Sequence, residues 1–301
     1  MASVITRVPS DRIGTRTFGG RYFVAHVSET QYGWLTPTLA YLFSFLGCLL
    51  GLNATARARL IPVGGRRARW LILAAWAIGG TGIWVMHFVA MVGFSITGSQ
   101  VRFDLSITLA SWIAAIIVVG FGLFIVGYTT RPTFPKIFVA GVFMGVGVAA
   151  MHYTGMAAMR MDGTAIWDKR LIVASVVIAV VASIVALWFT VSVRKTGAVV
   201  GAAAIMGVAV CTMHYTGMAA MKVHLNPVPS DVSGFQAVAF LVPIFVFMLV
   251  VVVVLGYAML NSVSEDETEA LGDLEQRLAG SAGAPLTRPS SFGFRIDHDQ
   301  F

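Results

Sequence analysis

The chain has 301 residues, of which 57% are hydrophobic and only 12% charged, with a mean hydropathy of +0.81. Soluble globular domains carry about 25% charged residues, so this composition excludes a water-soluble enzyme and describes a membrane protein. The formal net charge of +7 is scattered in short stretches between apolar runs; this fits orientation charge rather than a nucleic-acid surface, and no nucleic-acid partner is expected.

In chain order, residues 1–33 form an N-terminal segment without an apolar core, so no cleavable signal peptide is expected there. A spanning helix needs about 20 apolar residues. Seven runs meet this: 34–53, 70–93, 105–128, 137–159, 171–193, 198–221 and 235–260. The fold class is therefore an all-α membrane protein with seven transmembrane helices, lying in a lipid bilayer. Residues 261–301 change character: an acidic stretch at 265–275 is followed by a small, polar, Pro-containing one, and the tail reads as short and disordered. Cys48 and Cys211 lie inside apolar runs and give no disulfide framework.

Lysine and arginine in short loops set orientation. One set of loops holds Arg57, Arg59, Arg66, Arg67, Arg69, Arg131, Lys136, Arg194 and Lys195; the alternate set holds Arg102, Arg160, Lys169, Arg170 and Lys222. The richer side is expected to be cytoplasmic, which puts the N-terminus outside and the C-terminus inside. Arg7, Arg12, Arg16 and Arg21 in the N-terminal segment pull the other way.

Residues 151–159 and 213–221 both read MHYTGMAAM, and 86–91 read MHFVAM. The Met-His pairs recur after 65 and 62 residues, one helix pair per repeat, so the first six helices read as three two-helix units with a seventh appended. On an α-helix, positions three and four apart share a face. His152, Met156 and Met159 line one stripe, as do His214, Met218 and Met221; in the first copy His87 and Met91 match and Phe94 takes the last place. Met86, Met151 and Met213 flank the histidines. Each histidine lies six or seven residues before the expected helix end, so all three sit roughly 10 Å below one surface, the outer one in this orientation.

Histidine in a membrane span is costly and faces a bundle interior, a cavity or a partner. Imidazole ligates copper, zinc, iron and nickel, and thioether sulfur selects Cu(I). No span carries paired carboxylates for magnesium or calcium. The set His87, His152, His214 with Met86, Met91, Met151, Met156, Met213 and Met218 therefore points to a copper site. Tyr153, Tyr215, Met159, Met221 and Cys211 stand beside it as further ligands or supporting hydrogen-bond partners; Cys48 lies nearer the inner end of its helix, at the wrong depth. Other readings stay open: a duplicated helix-packing motif whose histidines bond to carbonyls or tyrosine hydroxyls, a haem ligated by two of the histidines, or a pathway that handles or transports copper. Gly141 with Gly145, Gly197 with Gly201, and Gly80 with Gly82 read as close-packing positions. Asp104, Asp162, Asp168 and Asp231 read as solvated in outer loops.

These motifs resemble the MHYT domain, a bacterial integral-membrane sensor domain, over about residues 34–260. Copies two and three match literally; in the first, Phe88 and Val89 replace Tyr and Thr. The resemblance implies copper held by the Met, His and Tyr residues, sensing of a diatomic gas (oxygen, carbon monoxide or nitric oxide) or of redox state, and a bacterial plasma-membrane location. Many members of that family carry cyclic-di-GMP or kinase domains. No such motif is present here, so no catalytic activity is expected, and output would pass to an unknown cytoplasmic signalling partner or through the chain's own short acidic tail.

Overall fold

The computed structural model describes residues 25–129, 132–226 and 230–258. They fall into one unit that runs to Leu255 and a second that starts at Gly256, of which only the end of a helix is described. The acidic tail at 261–301 and most of the N-terminal segment lie outside the described residues.

Seven helices are long and apolar enough to cross a membrane: α1 (Leu35–Leu60), α2 (Gly65–Val92), α3 (Leu105–Gly127), α4 (Phe134–Ala157), α5 (Lys169–Ser192), α6 (Thr196–Ala219) and α7 (Ala237–Ala258). The all-α, seven-span architecture read from the sequence is therefore the one observed. Boundaries differ most at the first connection. The expected loop 54–69 is largely helical: α1 continues to Leu60 and α2 begins at Gly65, so Arg57, Arg59, Arg66, Arg67 and Arg69 lie on helix ends. Arginine and alanine are good helix formers, and Ala54, Thr55 and Ala58 are buried. Pro62 and Gly64 then force the turn.

Each two-helix repeat is closed by its own antiparallel ladder. β1 (Val27–Ser28) precedes α1 and pairs with β2 (Ser95–Ile96) after α2. β3 (Arg102–Phe103) and β4 (Met159–Arg160) do the same for α3 and α4. β5 (Gly163–Trp167) and β6 (Met221–Leu225) do so for α5 and α6. The three repeats thus share one strand–helix–helix–strand plan. Around the bundle each helix packs on the next, and α6 returns to α1. On α7, Phe245 packs on Phe43 of α1, and Phe247 packs between Trp76 of α2 and Trp112 of α3. This cover makes α2 the most enclosed span.

Small residues set the helix spacing. A Cβ at Gly145 would meet the Val180 backbone and one at Gly141 the Ile184 backbone, so α4 and α5 approach through that pair. Gly80 and Gly82 likewise face Phe247 and Cys48. Gly197 and Gly201 do not fit the close-packing reading: a Cβ at either meets nothing, because both lie on the outward face of α6. Residues 76–85 of α2 are wound as π-helix, directly before His87, a feature absent from the matching segments of α4 and α6.

Three of the four loop aspartates are structural, whereas Asp231 is exposed as expected. Asp104 caps α3, accepting from the Ser106 and Ile107 amides, and pairs with Arg160 at 3.0 Å. The Ile107 amide and then Arg160 hold its carboxyl below the usual range. Asp168 caps α5 through the Arg170 amide. Asp162 departs furthest from the solvated reading: it is 4% exposed and accepts from the Asn226 amide at 2.9 Å and the Ser230 hydroxyl at 3.0 Å. It ties the start of the third repeat to the chain after β6.

Candidate metal centre

His87, His152 and His214 each lie five residues before the last residue of their helix. At about 1.5 Å per residue they share one depth, roughly 7–8 Å below the helix ends. The antiparallel hairpins return each motif to the same end, and bundle closure turns the three side chains inward. All three are 1% exposed. Nδ1 of His87 lies 3.1 Å from Nδ1 of His214 and 3.2 Å from Nδ1 of His152. One nitrogen from each of the three lies within 4.8 Å of the others. The rings stand edge to face, with centroids 5.0, 5.0 and 5.2 Å apart.

Two nitrogens each about 2.0–2.1 Å from one ion and about 100° apart about it stand roughly 3.1–3.2 Å from each other. The His87–His214 and His87–His152 spacings fit nitrogens on one face of a single ion, with a nitrogen of the third pair within 4.8 Å. They do not fit haem, whose two axial nitrogens stand roughly 4 Å apart with a macrocycle between them.

Proton accounting points the same way. A neutral imidazole carries one N–H. His87 Nδ1 faces two other Nδ1 atoms, and one proton serves one of those contacts. With all three Nδ1 lone pairs turned inward, the protons sit on Nε2, and Nε2 of His87 and of His152 is buried with no partner among the described residues. Such a group costs about 1–3 kcal/mol. The arrangement is thus unfavourable as bare packing, and it lacks the carbonyl or tyrosine partners that the packing reading requires for these atoms.

Two glycines that resemble general helix-packing residues in the sequence make the geometry. A Cβ at Gly155 would lie 2.6 Å from His87 Nε2, and one at Gly217 would lie closer still to His152 Nε2. Each motif glycine therefore houses the imidazole of the preceding repeat. Ala90 occupies the equivalent position in the first copy. The signal is present in the sequence, as Gly three residues after His, but its partner is not.

The methionines divide. Met86, Met91, Met151, Met156, Met213 and Met218 are buried within the helices, at 1–3% exposure. Met159 and Met221 leave the expected stripe. α4 ends at Ala157 and α6 at Ala219, so these two sit in β4 and β6. With Met156 and Met161 they line an open cavity of about 650 Å³ beside Tyr153 and Trp167. Met213 lines a second cavity of about 40 Å³ with Cys48, Met144 and Met206. Cys48 thus reaches the neighbourhood of the motif despite its depth, and Met144 and Met206 carry no motif that would have marked them. Cys211 is half-buried and does not line that cavity.

The aromatic position explains the imperfect first copy. Phe88, Tyr153 and Tyr215 each stand edge-on to their own histidine, with centroids 5.1, 5.0 and 4.9 Å away. A ring is common to all three, whereas the hydroxyls behave differently. That of Tyr153 bonds to Ser175 of α5 at 2.6 Å, and that of Tyr215 is buried without a partner among the described residues. Tyr153→Phe is expected to lower stability by about 1 kcal/mol, whereas Tyr215→Phe leaves it unchanged or raises it; thermal unfolding in detergent reads both.

The sequence matches the family described as "Bacterial signalling protein N terminal repeat", MHYT, three times, at residues 80–139, 145–203 and 207–271. The chain belongs to the MHYT family. Among proteins similar to it, the bifunctional diguanylate cyclase/cyclic di-GMP phosphodiesterase MucR of Pseudomonas aeruginosa is 36% identical over 65% of this chain and 29% of its own length. The cyclic di-GMP phosphodiesterase NbdA of the same organism is 33% identical over 62% of this chain and 24% of its own. The signalling protein YkoW of Bacillus subtilis is 28% identical over 71% of this chain and 27% of its own. The similarity thus spans less than a third of each relative. No solved structure matches. The three MHYT repeats begin within the helices that carry His87, His152 and His214, so the family pattern and the triad coincide.

Proposed function

We propose that this MHYT protein is a bacterial inner-membrane signal sensor that holds one copper ion on His87, His152 and His214 and answers a diatomic gas or redox state. The observation that carries this reading is the convergence of three fully buried imidazoles on one point. Bound copper would supply a centre that changes oxidation state and ligates oxygen, carbon monoxide or nitric oxide.

The chain's own groups select and shelter that ion. Three neutral nitrogens leave the ion's charge uncompensated in a hydrocarbon setting, which favours a monovalent ion over a divalent one. Thioethers from the neighbouring methionines favour Cu(I), and the absence of oxygen anions from the triad disfavours magnesium, calcium and manganese. Apart from Ser183, the 40 Å³ cavity beside Met213 is walled by apolar side chains and sulfur. Apolar cavities of this kind stay dry and admit small nonpolar guests. In the proposed orientation the triad lies in the outer half of the bilayer, the C-terminus is cytoplasmic, and the signal passes to a cytoplasmic partner with no catalytic step in this chain. Signalling requires that ligand favour one helix arrangement over another, since equal affinity for both shifts nothing.

The test is carbon monoxide binding to purified protein loaded anaerobically with Cu(I). An infrared carbonyl band is expected in the native chain, weakened by Ala209→Phe, which fills the cavity. Copper that shows no carbonyl band and no change with oxygen overturns the sensor reading. One observation favours a second reading, copper handling or transport: Cys48, Met144 and Met206 extend soft donors beyond the triad. Copper flux into proteoliposomes would establish it.

A further inference from the structure

At the end of the bundle opposite the triad, a cavity of about 620 Å³ opens between the ends of α1, α2, α3 and α5. Arg59, Arg67 and Arg194 line it, and no carboxylate does among the described residues. Arg67 is only 7% exposed, yet among the described residues its Nε is buried with no partner, and Nη2 donates to the Thr129 carbonyl at 3.2 Å. Arg59 gives Nη2 to the Val193 carbonyl at 2.6 Å, while its Nη1 is buried and unpartnered. A guanidinium is always charged, and burying it unpaired is among the costliest arrangements a fold can hold. Buried Arg67 and half-buried Arg59, each with one N–H left unpartnered among the described residues, together with a third arginine around one opening, suit an anion.

We propose that this cavity is an anion site that takes a phosphate group, carried by a lipid headgroup or by a free phosphate compound. Guanidinium N–H groups are strong donors to phosphate oxygens, and Arg67 Nε and Arg59 Nη1 each offer one donor without a protein partner among the described residues. The rest of the wall is apolar: Leu60, Val63, Leu71, Leu123 and Val126 line the same cavity. Arginines above an aliphatic wall at a helix-end interface match an anionic headgroup with the start of its acyl chain. The site is separate from the metal reading, because neither its residues nor its end of the bundle is shared with the triad.

The experiment measures Tm of the full chain in detergent with phosphatidylglycerol, phosphatidylcholine or inorganic phosphate. Phosphatidylglycerol is expected to raise Tm by a few degrees and phosphatidylcholine not to. A rise with inorganic phosphate alone would assign the site to a soluble phosphate compound. Arg67→Gln and Arg194→Gln should each weaken the effect, with the midpoint concentration raised roughly tenfold, a loss of about 1.4 kcal/mol. Arg194 is exposed, so its variant decides the matter if Arg67→Gln fails to fold. No rise with either phosphate source, or an equal rise in both variants, overturns the proposal. Copper content is read in the same samples, and its loss or retention bears only on the triad, not on phosphate binding.

Discussion

Replacing His87, His152 and His214 together by alanine is expected to reduce copper in the purified, copper-loaded protein from near one atom per chain to background. Each single replacement should weaken binding by more than about 100-fold, because even loss of a supporting partner to a metal-bound histidine costs 10–100-fold. The effect should be similar at all three positions, since the imidazoles share one depth, one burial and near-equal separations. The substitutions also remove two buried Nε2 groups that have no partner. The metal-free variants should therefore keep their thermal stability better than an ordinary large-to-small core change. Elemental analysis beside unfolding curves reads both quantities. Full copper in all three single variants would return the motif to helix packing.

The second large effect needs no donor to be removed. Gly155→Ala places a Cβ 2.6 Å from His87 Nε2, and Gly217→Ala crowds His152 in the same way. The backbone on both sides is helical and buried, so the imidazole has to move. Overpacking of this kind costs about 1–3 kcal/mol, which at about 1.4 kcal/mol per decade is roughly a fivefold to hundredfold loss of copper affinity. Gly201→Ala is the control: its Cβ meets open space, and the change should leave copper binding unaltered while stabilising α6 slightly. Copper titrations of the three variants side by side check the contrast. Equal affinity in all three would mean that the cradles do not position the triad.

Much of this is legible in the chain itself. Seven spans follow from apolar run length, and the three-repeat plan follows from the spacing of the Met-His pairs. The common depth of the histidines follows from their distance to the helix ends. What the sequence conceals depends on contacts between helices. Helical periodicity carries the stripe on to Met159 and Met221, but Ala158 ends α4 and β4 takes up Met159. Charge density marks 54–69 as a loop, although arginines at a membrane edge extend a helix readily while their heads reach water. Asp162 resembles any other loop aspartate, because its partners Asn226 and Ser230 lie 64 and 68 residues away. Gly155 and Gly217 resemble generic small residues, because the ring each one houses belongs to another repeat.

The triad also has a consequence for how the protein is made. His87 and His214 are separated by 127 residues, and α6 is the last helix to contribute a nitrogen. A ribosome feeding the chain into the bilayer delivers the first two imidazoles well before the third. Until α6 enters and closes against α1, the two early rings have only part of their cradle, because Gly217 arrives with the final repeat. Any metal capture by the triad would thereby be tied to completion of the six-helix ring, so truncated or stalled chains would leave the membrane machinery without a finished site.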